Sequence, residues 1–193
     1  MKNILTILTG IVVFGAACNP KPTIIDDLSD ITFELVNEDS TNISFPGHFE
    51  GDYVVMGFIY TNCPDICPLV TQNLVKIQKE LNYPDDVQFV AASFDPFRDT
   101  PSVLSKYKDA FRVDKNFTFL TGDTTTVSAF MDSVKVRSQV SMTTTTGDGK
   151  EIYFLNHSDK IMVLDPKSRV VLEYGGSMTP VSYIVEDIQK LRN

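Results

Sequence analysis

The chain has little positive charge and no stretch in which it collects. It carries 17 lysines and arginines against 25 aspartates and glutamates, a formal charge of -8 at pH 7. Without a basic cluster, binding to a nucleic-acid backbone is excluded as a function class. Internal repeats and low-complexity tracts are missing as well, which excludes solenoids and arrays. No apolar run reaches the roughly 20 residues that span a bilayer. Cysteine (3) and histidine (2) are scarce, and their spacing does not resemble a zinc site with four protein ligands.

What is present begins at the N-terminus. Met1-Lys2-Asn3 precedes an uncharged, mostly apolar run, Ile4–Ala17, of the length of an export-signal hydrophobic region. Phe14-Gly15-Ala16-Ala17-Cys18 resembles a bacterial lipobox, with Gly15 where leucine is more usual. Residues 1–17 are therefore expected to be a lipoprotein signal peptide and Cys18 the lipidated first residue, with a cleaved signal lacking lipid, or a retained membrane anchor, as the alternatives. Asn19-Pro20-Lys21-Pro22-Thr23, followed by Asp26, Asp27 and Asp30, reads as a polar tether over 18–30. The folded domain is expected over 31–193, outside the cytoplasm in a bacterial cell envelope and lipid-anchored to a membrane.

Along that domain, Tyr53–Tyr60 is nearly all apolar, as in a strand buried on both faces. Cys67, Val70, Leu74, Ile77 and Leu81 then form a helical stripe, and Val87–Phe94 is a second apolar strand. Strand, helix and strand of this length make a parallel crossover unit. Thr100-Pro101 starts a helix to about Phe111, 117–120 is a strand, and Asp123 opens a helix containing Val127, Phe130 and Val134. Residues 136–152 read as an irregular excursion or a polar hairpin with its tip at Gly147-Asp148-Gly149. Strands at 161–164 and 169–174 and a closing helix after Thr179-Pro180 complete the chain. The pattern is α/β, a mixed central sheet flanked by helices that matches a thioredoxin-like fold with insertions.

The candidate chemistry lies in Tyr60-Thr61-Asn62-Cys63-Pro64-Asp65-Ile66-Cys67-Pro68. Four-residue spacing on a helix puts both sulfurs on one face, with Cys67 inward and Cys63 nearer solvent at the entrance. A bridge closing so short a loop constrains almost nothing, so the pair is read as reactive rather than structural. The spacing alone leaves metal binding and electron exchange both open. Cys63 and Asp95 leave the carboxyl ends of neighbouring parallel strands, the edge where α/β ligands bind. Strand 161–164, run antiparallel, starts at that same edge, which places His157 beside the cysteines. His48 is read as a loop residue, and Met178 as a possible accessory sulfur.

Tyr-Thr-x-Cys-Pro-Asp-x-Cys-Pro at 60–68, Asp-Pro-x-Arg-Asp-Thr-Pro at 95–101 and a histidine ahead of an apolar strand together resemble the Sco/SenC family. These are membrane-tethered thioredoxin-like proteins associated with assembling the copper centre of cytochrome c oxidase. The resemblance implies copper, as Cu(I) or Cu(II), held by Cys63, Cys67 and His157. It implies as partners a copper-bearing oxidase subunit or another copper chaperone, and the membrane through the N-terminal lipid. Asp95, Arg98 and Asp99 fit a supporting or loop-shaping role, since carboxylates are hard ligands and arginine stays charged. Asn156 stands where relatives often have aspartate, so any tuning of the histidine there is weaker. A metallochaperone is one expected function. A thiol:disulfide oxidoreductase cycling Cys63 and Cys67 to keep a partner's copper-site cysteines reduced is the other.

Overall fold

The computed structural model describes residues 22–149 and 151–193. Cys18 and the expected signal peptide lie outside these residues. The apolar runs become the centre of an eight-stranded sheet. Strands β1 (Asp26–Asp27), β2 (Phe33–Asn37), β3 (Asn42–Phe45), β4 (Tyr53–Ile59), β5 (Val87–Ser93), β6 (Phe117–Thr121), β9 (Ile161–Leu164) and β10 (Arg169–Tyr174) take the order β1-β10-β9-β4-β5-β6-β2-β3. β4, β5 and β6 are parallel, and β9 runs antiparallel to β4 with Gly57 opposite Ile161. β4 and β9 are buried at nearly every residue, as their unbroken hydrophobicity requires.

Helices cover both faces of this sheet. α1 (Ile66–Glu80) packs on β4 and β5, and touches α2 (Pro101–Phe111) and α4 (Val181–Arg192). Its approach to β4 depends on Gly57, where a Cβ would lie 2.7 Å from Val70 Cγ1 and 3.0 Å from Leu74 Cδ1. The next residue, Phe58, points to the opposite face, where it meets Phe130 of α3 (Thr124–Ser133) along with Phe33 and Phe45. Asp123 caps α3 by accepting the Thr125 and Thr126 N–H groups. Thr100 occupies the cap position of α2, but its hydroxyl makes no cap bond. The architecture is the mixed α/β, thioredoxin-like fold expected from the sequence.

Three features depart from the sequence reading. Asp26 and Asp27, assigned above to the tether, pair with Val170 and Arg169, and Leu28 is buried, so ordered packing starts before residue 31. β2 and β3 were not anticipated. Their apolar residues alternate with Glu34, Ser44 and other polar groups, because they sit at the sheet's margin with one face outward. Third, of the two readings of 136–152 the polar hairpin holds, as β7 (Ser138–Thr145) and β8 (Glu151–His157), but it is separate from the main sheet and runs on to His157. Its tip is at Thr146–Gly149, and β7 is exposed at all eight residues.

Candidate metal centre

The end of β4 and the start of α1 bring the two sulfurs together by a different route from the one the spacing suggests. Cys67 lies in the first turn of α1, but Cys63 precedes the helix, in a turn where its N–H donates to Tyr60 O at 3.2 Å. The pair therefore does not share a helix face. Asp65 holds the N-cap position without a side-chain cap bond, and Cys63 Sγ instead accepts the Cys67 N–H at 3.4 Å. A sulfur thus satisfies one of the unpaired donors at the helix start, which also favours its anionic form. Cys67 is fully buried and Cys63 is 8% exposed. Both are free thiols.

His157, the last residue of β8, completes the group. Its Nε2 lies 3.6 Å from Cys67 Sγ and 4.0 Å from Cys63 Sγ. Each of the three residues offers a ligand atom within 4.8 Å of the others. Nδ1 sits 2.9 Å from Ser158 O, an obligate acceptor, so Nδ1 carries the proton and the Nε2 lone pair faces the sulfurs. The ring packs between Phe94, at 4.8 Å between centroids, and the edge of Tyr60 at 5.8 Å. A cleft of about 260 Å³, lined by Cys63, Ile66, Leu155 and His157 among others, opens the group to solvent.

The two thiols are held in different states. Burial pushes Cys63 up, but the N–H groups of Cys67 and Asp65, with the Cys67 side chain, outweigh it and bring the thiol down to about 7. Burial dominates at Cys67 and pushes it far above the ordinary thiol range, despite the N–H that Tyr60 donates at 3.3 Å. Around neutral pH, Cys63 is the thiol that ionises. Iodoacetamide is therefore expected to alkylate Cys63 of the reduced, metal-free protein before Cys67, with a rate that rises through a midpoint near pH 7. Peptide mapping by mass spectrometry checks this, and modification of Cys67 first would contradict it.

The acidic motif after β5 sits behind these residues rather than among them. Asp99 is fully buried and accepts from Thr61 N–H at 3.0 Å, Thr61 Oγ1 at 2.6 Å and Ser93 Oγ at 2.6 Å, which ties down the turn leading to Cys63. Asp95 pairs with Arg98, Nε to Oδ2 at 2.5 Å, and accepts Tyr153 O–H at 2.7 Å. Asn156 is exposed, and the orienting bond expected of it belongs to Ser158 O. Met178 is 82% exposed, on the turn after β10. His48 packs edge-on to Phe49 in a short 3-10 turn, away from the group. Tyr60 and Tyr153 were missed by sequence reasoning. Reading Glu151–His157 as a strand would have shown Tyr153, Leu155 and His157 on one side of it.

A model of the SCO1/SenC family matches residues 24–193. The chain belongs to the SCO1/SenC family. A SCO1 protein homolog of Bacillus subtilis (strain 168) is 27% identical over 197 residues, which cover 98% of this chain and 97% of that protein. Among solved structures, a SCO1/SenC family lipoprotein from Bacillus anthracis str. Ames is similar at 29% identity and TM-score 0.70, covering 90% of this chain and 98% of that one. Arabidopsis thaliana ScoI with copper bound gives 25% identity and TM-score 0.70, with 84% and 97% covered. SCO1/SenC membership thus extends over the whole described sheet and the hairpin that carries His157.

Proposed function

We propose that this SCO1/SenC protein is a copper metallochaperone that binds one ion through Cys63, Cys67 and His157 and passes it to the copper centre of cytochrome c oxidase during assembly. The observation that carries the reading is the convergence of two sulfurs and one imidazole nitrogen within 4.8 Å. Their chemistry fits the ion: soft thiolates select Cu(I), imidazole suits either copper state, and a third ligand from a separate element allows exchange without unfolding the pair. Copper bound in the Arabidopsis relative supports it. Copper here is cargo, and this chain's part is to hold, shield and release it.

The reading of an envelope lipoprotein rests on the lipobox-like run ending at Cys18 and on the Bacillus anthracis lipoprotein among its relatives. No helix of the described residues is long and apolar enough to cross a membrane. Mass spectrometry of the membrane fraction is expected to show loss of residues 1–17 and a diacylglyceryl mass on Cys18. An intact Met1 or an unlipidated terminus would refute it.

A second reading is favoured by the unequal thiols. A thiolate at Cys63 over a buried neutral Cys67 suits disulfide exchange with a partner, in which Cys63 attacks and Cys67 resolves. His157→Ala separates the two. It removes a ligand and leaves the dithiol, so a chaperone loses roughly tenfold or more in Cu(I) affinity and assembles less oxidase. Normal oxidase activity at native expression would reject the chaperone role in favour of the reductase.

A further inference from the structure

His157 is carried by an element that the main sheet does not hold. Among the described residues β7 pairs only with β8 and is exposed throughout, and a two-stranded hairpin is marginal by itself. Yet the imidazole must be fixed to within fractions of an ångström to serve two sulfurs on another element. Among the described residues, specific side chains attach the hairpin to the body. At its base, Ser158 N–H donates to Arg137 O and Arg137 N–H donates to Ser158 Oγ, but both residues travel with the hairpin.

Beyond the packing of the His157 ring on Phe94 and Tyr60, polar attachments to the body gather at Tyr153 and Leu155. Arg98 Nη1 donates to Tyr153 O at 2.7 Å, and its guanidinium carbon lies 3.5 Å from the centroid of the Tyr153 ring and 5.4 Å from that of Tyr60. Asp95 accepts both Arg98 Nε–H and Tyr153 O–H on its two oxygens. Tyr153 is thereby gripped at its carbonyl, ring face and hydroxyl by one loop at the end of β5. Two residues on, Leu155 N–H donates to Tyr60 Oη at 3.2 Å, and Tyr60 N–H donates to Cys67 Sγ. In a strand, 153, 155 and 157 share a side, so the clamp, the tyrosine and the sulfurs lie along one line of β8.

We propose that the Asp95–Arg98–Tyr153 clamp, with Tyr60 behind it, positions His157 against Cys63 and Cys67 by setting how far β8 is drawn along the body of the domain. The clamp touches none of the three candidate ligands. It acts about 13 Å away, the rise of four strand residues. A planar guanidinium is required, because one nitrogen binds the carboxylate, another the carbonyl, and the plane stacks on the ring; lysine supplies one point charge. The proposal deepens the copper-binding reading, and only its metal arm depends on it.

Hydrogen–deuterium exchange of the purified, reduced, metal-free protein tests the clamp directly. Arg98→Ala is expected to speed exchange roughly tenfold at the 152–157 amides while β4 and β5 stay protected. Cu(I) affinity, measured against a chromogenic chelator, should fall about tenfold in the His157 protein and not at all in the His157→Ala background. Exchange unchanged in the hairpin, or an equal affinity loss in both backgrounds, would overturn the proposal. If the parent protein binds no Cu(I), the copper reading fails, and exchange alone decides the clamp. Should Arg98→Ala fail to fold, Tyr153→Phe removes only the hydroxyl. A rise confined to the hairpin supports positioning, and a rise across the domain or none overturns it.

Discussion

Replacing both cysteines, Cys63→Ser with Cys67→Ser, is expected to take Cu(I) stoichiometry from one per chain to none. Serine hydroxyls are neutral and hard at working pH, so the pocket keeps one imidazole and loses both soft donors. The loss should not come from unfolding. Cys67 accepts the Tyr60 N–H, and Cys63 accepts the Cys67 N–H with that of Asp65 beside it; a serine oxygen accepts the same bonds. Copper analysis after desalting, beside a denaturation curve, checks both points. Full stoichiometry in the double variant would refute the site.

Asp99 offers the largest effect on folding. Asp99→Ala strands the part-buried Thr61 N–H and takes the partner from two hydroxyls, an expected cost of about 2 kcal/mol from one unsatisfied donor and two weakened bonds. Asp99→Asn should be far milder, since its carbonyl serves Thr61 N–H and Ser93 Oγ–H while its amide donates to Thr61 Oγ1. The two differ in pH dependence as well. Burial is the main cause that raises the Asp99 carboxyl above its free value of 3.8, ahead of the hydrogen bonds from Ser93 and Thr61 that lower it. Between 3.8 and the raised folded value the native state keeps a proton that the unfolded state has lost. The parent protein therefore loses stability as pH climbs through that window, and Asp99→Asn is expected to lack this decline. Urea midpoints across acidic pH measure it, and parallel curves for parent and Asp99→Asn would count against the assignment.

How much of this was legible depends on what each segment buries. β4, β5, β9 and α1 bury apolar residues continuously or on a stripe, and their sequence shows it. Once those elements are placed, chain direction alone puts His157 at the edge with the cysteines. The hairpin showed only in its glycine tip, not in a burial pattern: β7 buries nothing, and its partner is held by a carbonyl, an amide and a hydroxyl. Polar attachments of that kind have no period. The loop position of Cys63 was hidden for a related reason, since four-residue spacing looks the same whether the helix begins at 63 or at 66. β1 and β3 escaped because two to four residues at a margin are too few to show alternation.

The hairpin is held at a distance from the residue it carries. Tyr153, where Arg98 and Asp95 grip it, lies four residues from His157 along β8. The arm from Tyr153 to His157 is about 13 Å long. If β8 turns about Tyr153 as a rigid strand, a swing of a few degrees shifts the imidazole by about half an ångström, so small changes at the clamp are enough to alter the reach of His157 to the sulfurs.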